Sequence, residues 1–253
     1  MPNHFMSKIY LEGDPKRIQE LLEHVKYDDG DIGSLDCNKV IPMPKDLDLE
    51  SGSIEWESIC AYLSKVNPVN MNFQTDHKLP NDLFKHICDE LADVFGIRPI
   101  YTNMSYEQIV YIANTRFNNM PADKFIDLGN KYISNLLKYG ATSWYYWCRD
   151  NWGSAYNTYG AEPFVNNTMT FKTGNSPVSN VINEIGEMYP DIKITYKYAD
   201  EDFGRNTGVM ELYKHGLEGL LPAEYSDEAF DIVKECWSLS DEELEKYKAE
   251  FKE

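Results

Sequence analysis

The opening residues Phe5-Met6-Ser7-Lys8-Ile9-Tyr10-Leu11 alternate in the way of a half-buried strand and stop at Gly13. Asp14 followed by Pro15 starts a helix, and Ile18, Leu21, Leu22 and Val25 give it an apolar stripe. The stretch Asp28-Asp29-Gly30-Asp31-Ile32-Gly33 reads as a turn. It is not a calcium loop, because Gly33 stands where the third acidic ligand would be needed. Leu35 to Ile41 reads as a second strand, closed by Pro42-Met43-Pro44, whose two prolines forbid a continuing ladder.

From about Gly52 the apolar period lengthens to 3.6. One helix is marked by Ile59, Cys60, Leu63 and Val66, and a second after Pro80 by Phe84, Ile87, Cys88, Leu91 and Phe95. A third opens with Ser105 and Gln108 in capping-box spacing. A fourth follows Pro121 and ends at Gly140, and a short helix over Trp144–Asn151 breaks at Gly153. Strand character returns at Thr168–Thr173. Ser176-Pro177 starts a helix lined by Val178, Val181, Ile182, Ile185 and Met188, and Ile192–Tyr198 alternates again. Val209–Tyr213 pairs back across the polar turn Asp200–Thr207. Two helices begin at Ser226 and Ser240, and Phe230, Val233, Trp237, Leu244, Tyr247 and Phe251 give this acidic tail an apolar side.

In order, the elements predict an α+β protein: a ferredoxin-like split β-α-β antiparallel sheet with helices on one face, a large helical insertion and a helical C-terminal tail. The divisions are 1–45 for the first β-α-β half, 46–150 for the insertion, 151–216 for the second half with an extra strand, and 217–253 for the tail.

Charge narrows the function classes. Among 253 residues, 24 basic and 42 acidic side chains leave a net charge of −18. Such a field repels duplex phosphate, so nucleic acid is not the expected partner; DNA mimicry toward a DNA-binding protein is a minor alternative. There is no apolar run of membrane length and no signal-peptide pattern at Met1–Phe5. Cys37, Cys60, Cys88, Cys148 and Cys236 are odd in number and widely spaced, the usage of buried free thiols in the cytoplasm.

Catalytic patterns are not found. The five histidines form no metal pair, Gly204–Gly208 joins two strands instead of opening a helix, and the nucleophile elbow is missing. The acidic run Asp200-Glu201-Asp202 reads as a solvated turn. No metal or cofactor is therefore expected.

The densest chemistry is Trp144 to Tyr159, which holds three of the five tryptophans and four tyrosines. Its aromatic faces could stack on a ligand, with Arg149 and Asn157 supplying edge hydrogen bonds. The stronger reading is packing by Trp147 and Trp152. Tyr156 and Tyr159, past the Gly153 break, are expected to be the exposed members. Candidate ligand or partner residues are Trp147, Arg149, Asn151, Trp152, Gly153, Tyr156, Asn157 and Tyr159.

Four segments carry a family resemblance: Pro2-Asn3-His4-Phe5 through Gly13, Asn38–Pro44 with its Pro-Met-Pro, Tyr145–Gly153 with Asn-Trp-Gly, and Phe171 through Tyr198-Ala199-Asp200. The chain resembles the YubB-type ferredoxin-like domain proteins, also described as Api-like, of plasmids, phages and integrated elements. It departs from them where Ala155 replaces a lysine and Asn175 a tryptophan. The resemblance implies the fold and a mobile-element setting but no shared activity. The resulting expectation is a non-enzymatic cytoplasmic protein that binds a protein partner, such as a component of a host defence system that it counters. The alternative is a small-ligand or nucleotide binder, or an enzyme, with its pocket near Trp152.

Overall fold

The computed structural model describes residues 3–73, 75, 77–99 and 102–250. In chain order the elements are β1 (His4–Glu12), α1 (Pro15–Val25), α2 (Cys37–Val40), α3 (Ser53–Val66) and α4 (Asn81–Phe95). Then follow α5 (Tyr106–Arg116), α6 (Ala122–Tyr139), α7 (Trp144–Trp152), β2 (Thr168–Gly174) and α8 (Ser179–Met188). The remainder is β3 (Lys193–Asp200), β4 (Gly208–Tyr213), β5 (Gly216–Leu220), α9 (Asp227–Trp237) and α10 (Asp241–Glu250). They group into two compact units: a sheet unit of Met1–Pro42 with Cys148–Glu253, and a helical unit of Met43–Trp147.

The sheet has the order β2-β1-β3-β4-β5 and every neighbouring pair is antiparallel. β1 is an interior strand, with Ile9 opposite Met169 on one side and Tyr196 on the other. β2, α8 and β3 form a split β-α-β unit straddling β1, as the ferredoxin-like reading requires. Asp14 begins α1 as expected, its carboxylate accepting from the N–H groups of Lys16 and Arg17.

Leu35–Ile41 is not a strand. The Asp36 carboxylate accepts from the Asn38 N–H at 3.0 Å and caps the single helical turn α2. A local side-chain acceptor thus wins the backbone that a ladder would have used. Strand-like pairing appears instead much later in the chain. Tyr159 and Lys172 exchange both backbone hydrogen bonds, at 2.9 and 2.8 Å, and the Glu162 N–H donates to the Thr170 carbonyl. Asn166 and Asn167, both at positive φ, turn this edge segment into β2.

Two further expectations are corrected. α8 begins at Ser179, with Val178 as its N-cap, because the Ser176 hydroxyl instead donates to the Gly153 carbonyl at 2.6 Å. The C-terminal tail is also not wholly helical: Gly216–Leu220 is β5, joined to β4 through Lys214 and His215 at φ 52° and 62°. Two consecutive positive φ angles are what a tight type I′ hairpin demands.

Helices lie on both faces of the sheet, not one. Leu212 points to Gly186 of α8, where a Cβ would come within 2.7 Å of Leu212 Cδ2. On the opposite face Met6, Ala199 and Val209 pack with Ile232, Val233 and Cys236 of α9. The α9 helix starts at Ser226, which accepts from the Ala229 N–H, and α10 opens with the Ser240–Glu243 capping box. Polar pins add to α9 docking: Glu235 accepts from Tyr10 at 2.6 Å and pairs with Lys197. Burial pushes the Glu235 carboxyl up, but Lys197 and Tyr10 outweigh it and hold it below the usual glutamate range.

The helical unit is organised by α3 and α6. At Gly129 the helices approach so closely that a Cβ would lie 1.9 Å from the Ser58 carbonyl oxygen. Ile59, Leu63 and Val66 pack with Ile87, Leu91, Tyr132 and Leu136, while Ala61, Ile109, Ala113, Phe125 and Ile126 form a second cluster. Each buried Val, Leu, Ile or Phe among them contributes roughly 1.5–3 kcal/mol by leaving water.

Candidate ligand pocket in the helical unit

The aromatic stretch becomes α7 and the loop beyond it. Trp147 and Trp152 are buried, and the Trp152 indole N–H donates to the Ile41 carbonyl at 2.8 Å. Arg149 pairs with its neighbour Asp150, and Asn151 is half-buried. Gly153 sits at φ +91°, with the Pro177 carbonyl oxygen 2.8 Å from where a Cβ would project. Asn157 is a stitch: its side-chain oxygen accepts from the Cys37 N–H at 2.9 Å and its amide donates to Asp36 at 2.7 Å. Tyr156 and Tyr159 are the exposed members. The Tyr156 ring covers Gly174, while the Tyr159 hydroxyl meets His4 Nδ1. The Trp152 indole, the Asn157 amide and the Tyr159 hydroxyl thus spend their hydrogen bonds inside the fold. The run at Asp200 is used likewise: Asp200 is buried and accepts from Asn206 and from the Asp202 N–H.

The buried cysteines are equally quiet. Burial drives the Cys37 thiol far up and those of Cys148 and Cys236 to about 12, so the nucleophilic thiolate is scarce.

A cavity of about 590 Å³ opens elsewhere, between α3 and α5. That volume is within the range of small-molecule sites. Helical spacing builds its walls. Trp56 and Cys60 lie one turn apart on α3, as do Glu107 and Tyr111, and Ile112 and Arg116, on α5; Met104 and Gln108 complete the lining. The Trp56 ring is held edge-on to Phe95, with centroids 5.0 Å apart. Tyr111 is 68% exposed, at the solvent side.

Two glutamates two residues apart on α3 have different fates. Glu55 is fully buried and satisfied: Thr142 donates to one oxygen, Ser51 and the Gly52 N–H to the other. Glu57 lines the cavity. One of its oxygens meets Arg116 at 2.5 Å, while Oε2 is sealed from solvent and has no hydrogen-bond partner among the described residues. Leaving a buried acceptor unmatched costs about 1–3 kcal/mol, more when it is charged. Arg116 is the loose member, its side chain 63% exposed. Glu107 accepts from the Ser105 hydroxyl at 2.7 Å, which holds its carboxyl below the usual range. Two carboxylates against one guanidinium make the lining net acidic.

Sequence reasoning missed this pocket. Its signals, Trp56-Glu57 with Cys60 and Glu107 with Tyr111, look like ordinary amphipathic helix faces, and the two helices are separated by some fifty residues.

Residues 152–248 match a family model described as a ferredoxin-like domain in Api92-like protein. No curated protein matches the sequence. A solved structure, that of a protein Api92 from Yersinia pseudotuberculosis, superimposes at a TM-score of 0.36 with 13% identity, covering 88% of this chain and 100% of that one. The family match lies within the sheet unit and stops short of the pocket. The sheet unit, then, is similar to the ferredoxin-like domain of Api92-like proteins, and it has the ferredoxin-like fold.

Proposed function

We propose that the chain works by binding, and that its helical unit takes a small organic ligand between α3 and α5. The observation that carries this is a cavity of about 590 Å³ lined by Trp56 and Tyr111, in which the Glu57 carboxylate is held by the largely exposed Arg116. An apolar pocket with a few convergent polar groups is the form a recognition site takes. The ligand-binding reading thereby moves from Trp152 to Trp56. Thermal-shift screening with small aromatic compounds of both charges and none tests it. A saturable rise in Tm that disappears in Tyr111→Ala is expected; a panel that leaves the melting curve in place sinks the reading.

A second reading is a protein partner in the setting of a mobile element, in opposition to a host defence. It is supported by the net charge of −18 and by β5, an edge strand exposed along its length beside Leu221. Unpaired strand edges accept an added strand from a partner. The YubB-type likeness supports the mobile-element setting, and five buried free cysteines support a cytoplasmic home. No helix among the described residues is long and apolar enough to cross a membrane. Repeated pull-downs from host lysate should recover one partner, and recovery should fall when Leu217→Arg is introduced on β5. Equal recovery by the variant counts against this edge.

A further inference from the structure

Building on the binding reading, we infer that the α3–α5 pocket selects an organic monocation: an ammonium or similar donor on an aromatic or branched apolar body. The charge count comes first. Glu57 and Glu107 face a single Arg116, so the lining carries one excess negative charge and favours a cation over an anion. The −18 field of the whole chain favours the same sign at long range. The walls come second. Trp56 and Tyr111 line the pocket, and aromatic rings attract cations, while the soft side chains of Met104 and Cys60 fit an apolar body. The receptor for the charge is Glu57, at the oxygen that the largely exposed Arg116 holds.

Arg116 acts in this arrangement as a resident stand-in for the ligand's charge. Its guanidinium occupies Glu57 at 2.5 Å from a largely exposed arm, so it can leave at little cost in buried contact. A ligand cation entering between Trp56 and Tyr111 displaces it and reaches the carboxylate. Arg116 is then a competitor that sets the affinity threshold of the site.

Calorimetric titration of the full chain with three matched probes tests this: 2-phenylethylamine, charged at pH 7, neutral 2-phenylethanol, and anionic 3-phenylpropionate. The amine should bind saturably and at least tenfold more tightly than the alcohol, with the carboxylate weakest. Glu57→Gln should bring the amine to the alcohol's affinity and leave the alcohol unchanged. Arg116→Ala should tighten the amine severalfold, an outcome that a purely structural Glu57–Arg116 pair would not give. If Glu57→Gln does not fold, the exposed Glu107→Gln carries the same arithmetic and should weaken the amine two- to fivefold. Alcohol or carboxylate binding as tight as the amine, lost in Tyr111→Ala, overturns the charge selection and leaves the pocket standing. No saturable binding by any of the three overturns both.

Discussion

The segment from Trp144 to Tyr159 and the pocket between α3 and α5 use similar materials: tryptophan, tyrosine, a carboxylate or amide, and an arginine. They differ in what remains after hydrogen bonds are matched. Around Trp152 the indole N–H, the Gly153 carbonyl and both ends of the Asn157 amide are matched by named partners within the sheet unit. Around Trp56 a buried Glu57 oxygen has no partner among the described residues and an arginine stays mostly in solvent. Aromatic density therefore measures burial. A leftover polar group inside a cavity is the better indicator of recognition, because the fold tolerates its cost without recovering it.

Mutations test that contrast. The largest effect is expected at Trp152→Ala, which should lose about 3–5 kcal/mol in urea unfolding, as large-to-small core changes do. Trp56→Ala, at a half-buried ring, should lose distinctly less. If the two were equal, the division into framework and pocket would be wrong. Gly153→Ala comes next, at about 1–3 kcal/mol, since it adds a Cβ at φ +91° facing the Pro177 carbonyl.

The neighbouring glutamates give a finer test. Glu55→Ala strands Thr142, Ser51 and the Gly52 N–H, and should cost about 1–3 kcal/mol. Glu57→Gln gives up an ion pair with an exposed arginine, worth about 0–1 kcal/mol, and also relieves an unmatched charge, so its stability should stay within about 0.5 kcal/mol of the parent. A large loss at Glu57 would make it structural like Glu55.

The smallest effect is in acid. Glu235 is held below its ordinary pKa in the folded chain, so its contribution is complete above about pH 4.3, the unfolded value. It fades as pH falls through the lower folded value. Glu235→Gln should flatten that acid limb, and an unchanged pH profile would deny Glu235 its role in docking α9.

Much of the fold was legible because it is local. The alternation of β1 and β3, the caps at Asp14, Ser105, Ser226 and Ser240, and the left-handed stop at Gly140 each declare themselves within a few residues. The errors arose where a distant or side-chain partner decided. Asp36 capped a turn in a stretch that alternates like a strand. β5 carries two glycines in five residues and becomes a strand only because Lys214 and His215 adopt the hairpin turn. The segment at Tyr159 reads as loop until Lys172 pairs with it. The pocket was illegible for the same reason: Glu57 and Arg116 meet across fifty-nine positions, and no pattern on either helix reports that one oxygen stays unmatched.

The interior place of β1 has a consequence in time. The strand is made well before its sheet partners at 168–174 and 193–200. At a synthesis rate of roughly 5–20 residues per second, β1 waits on the order of ten to thirty seconds with both edges unpaired. The continuous helical stretch emerges wholly within that interval and needs nothing later in the chain for its own core. A nascent chain stalled once residues up to about 150 have left the ribosome should accordingly hold a protease-resistant helical body and a protease-sensitive β1.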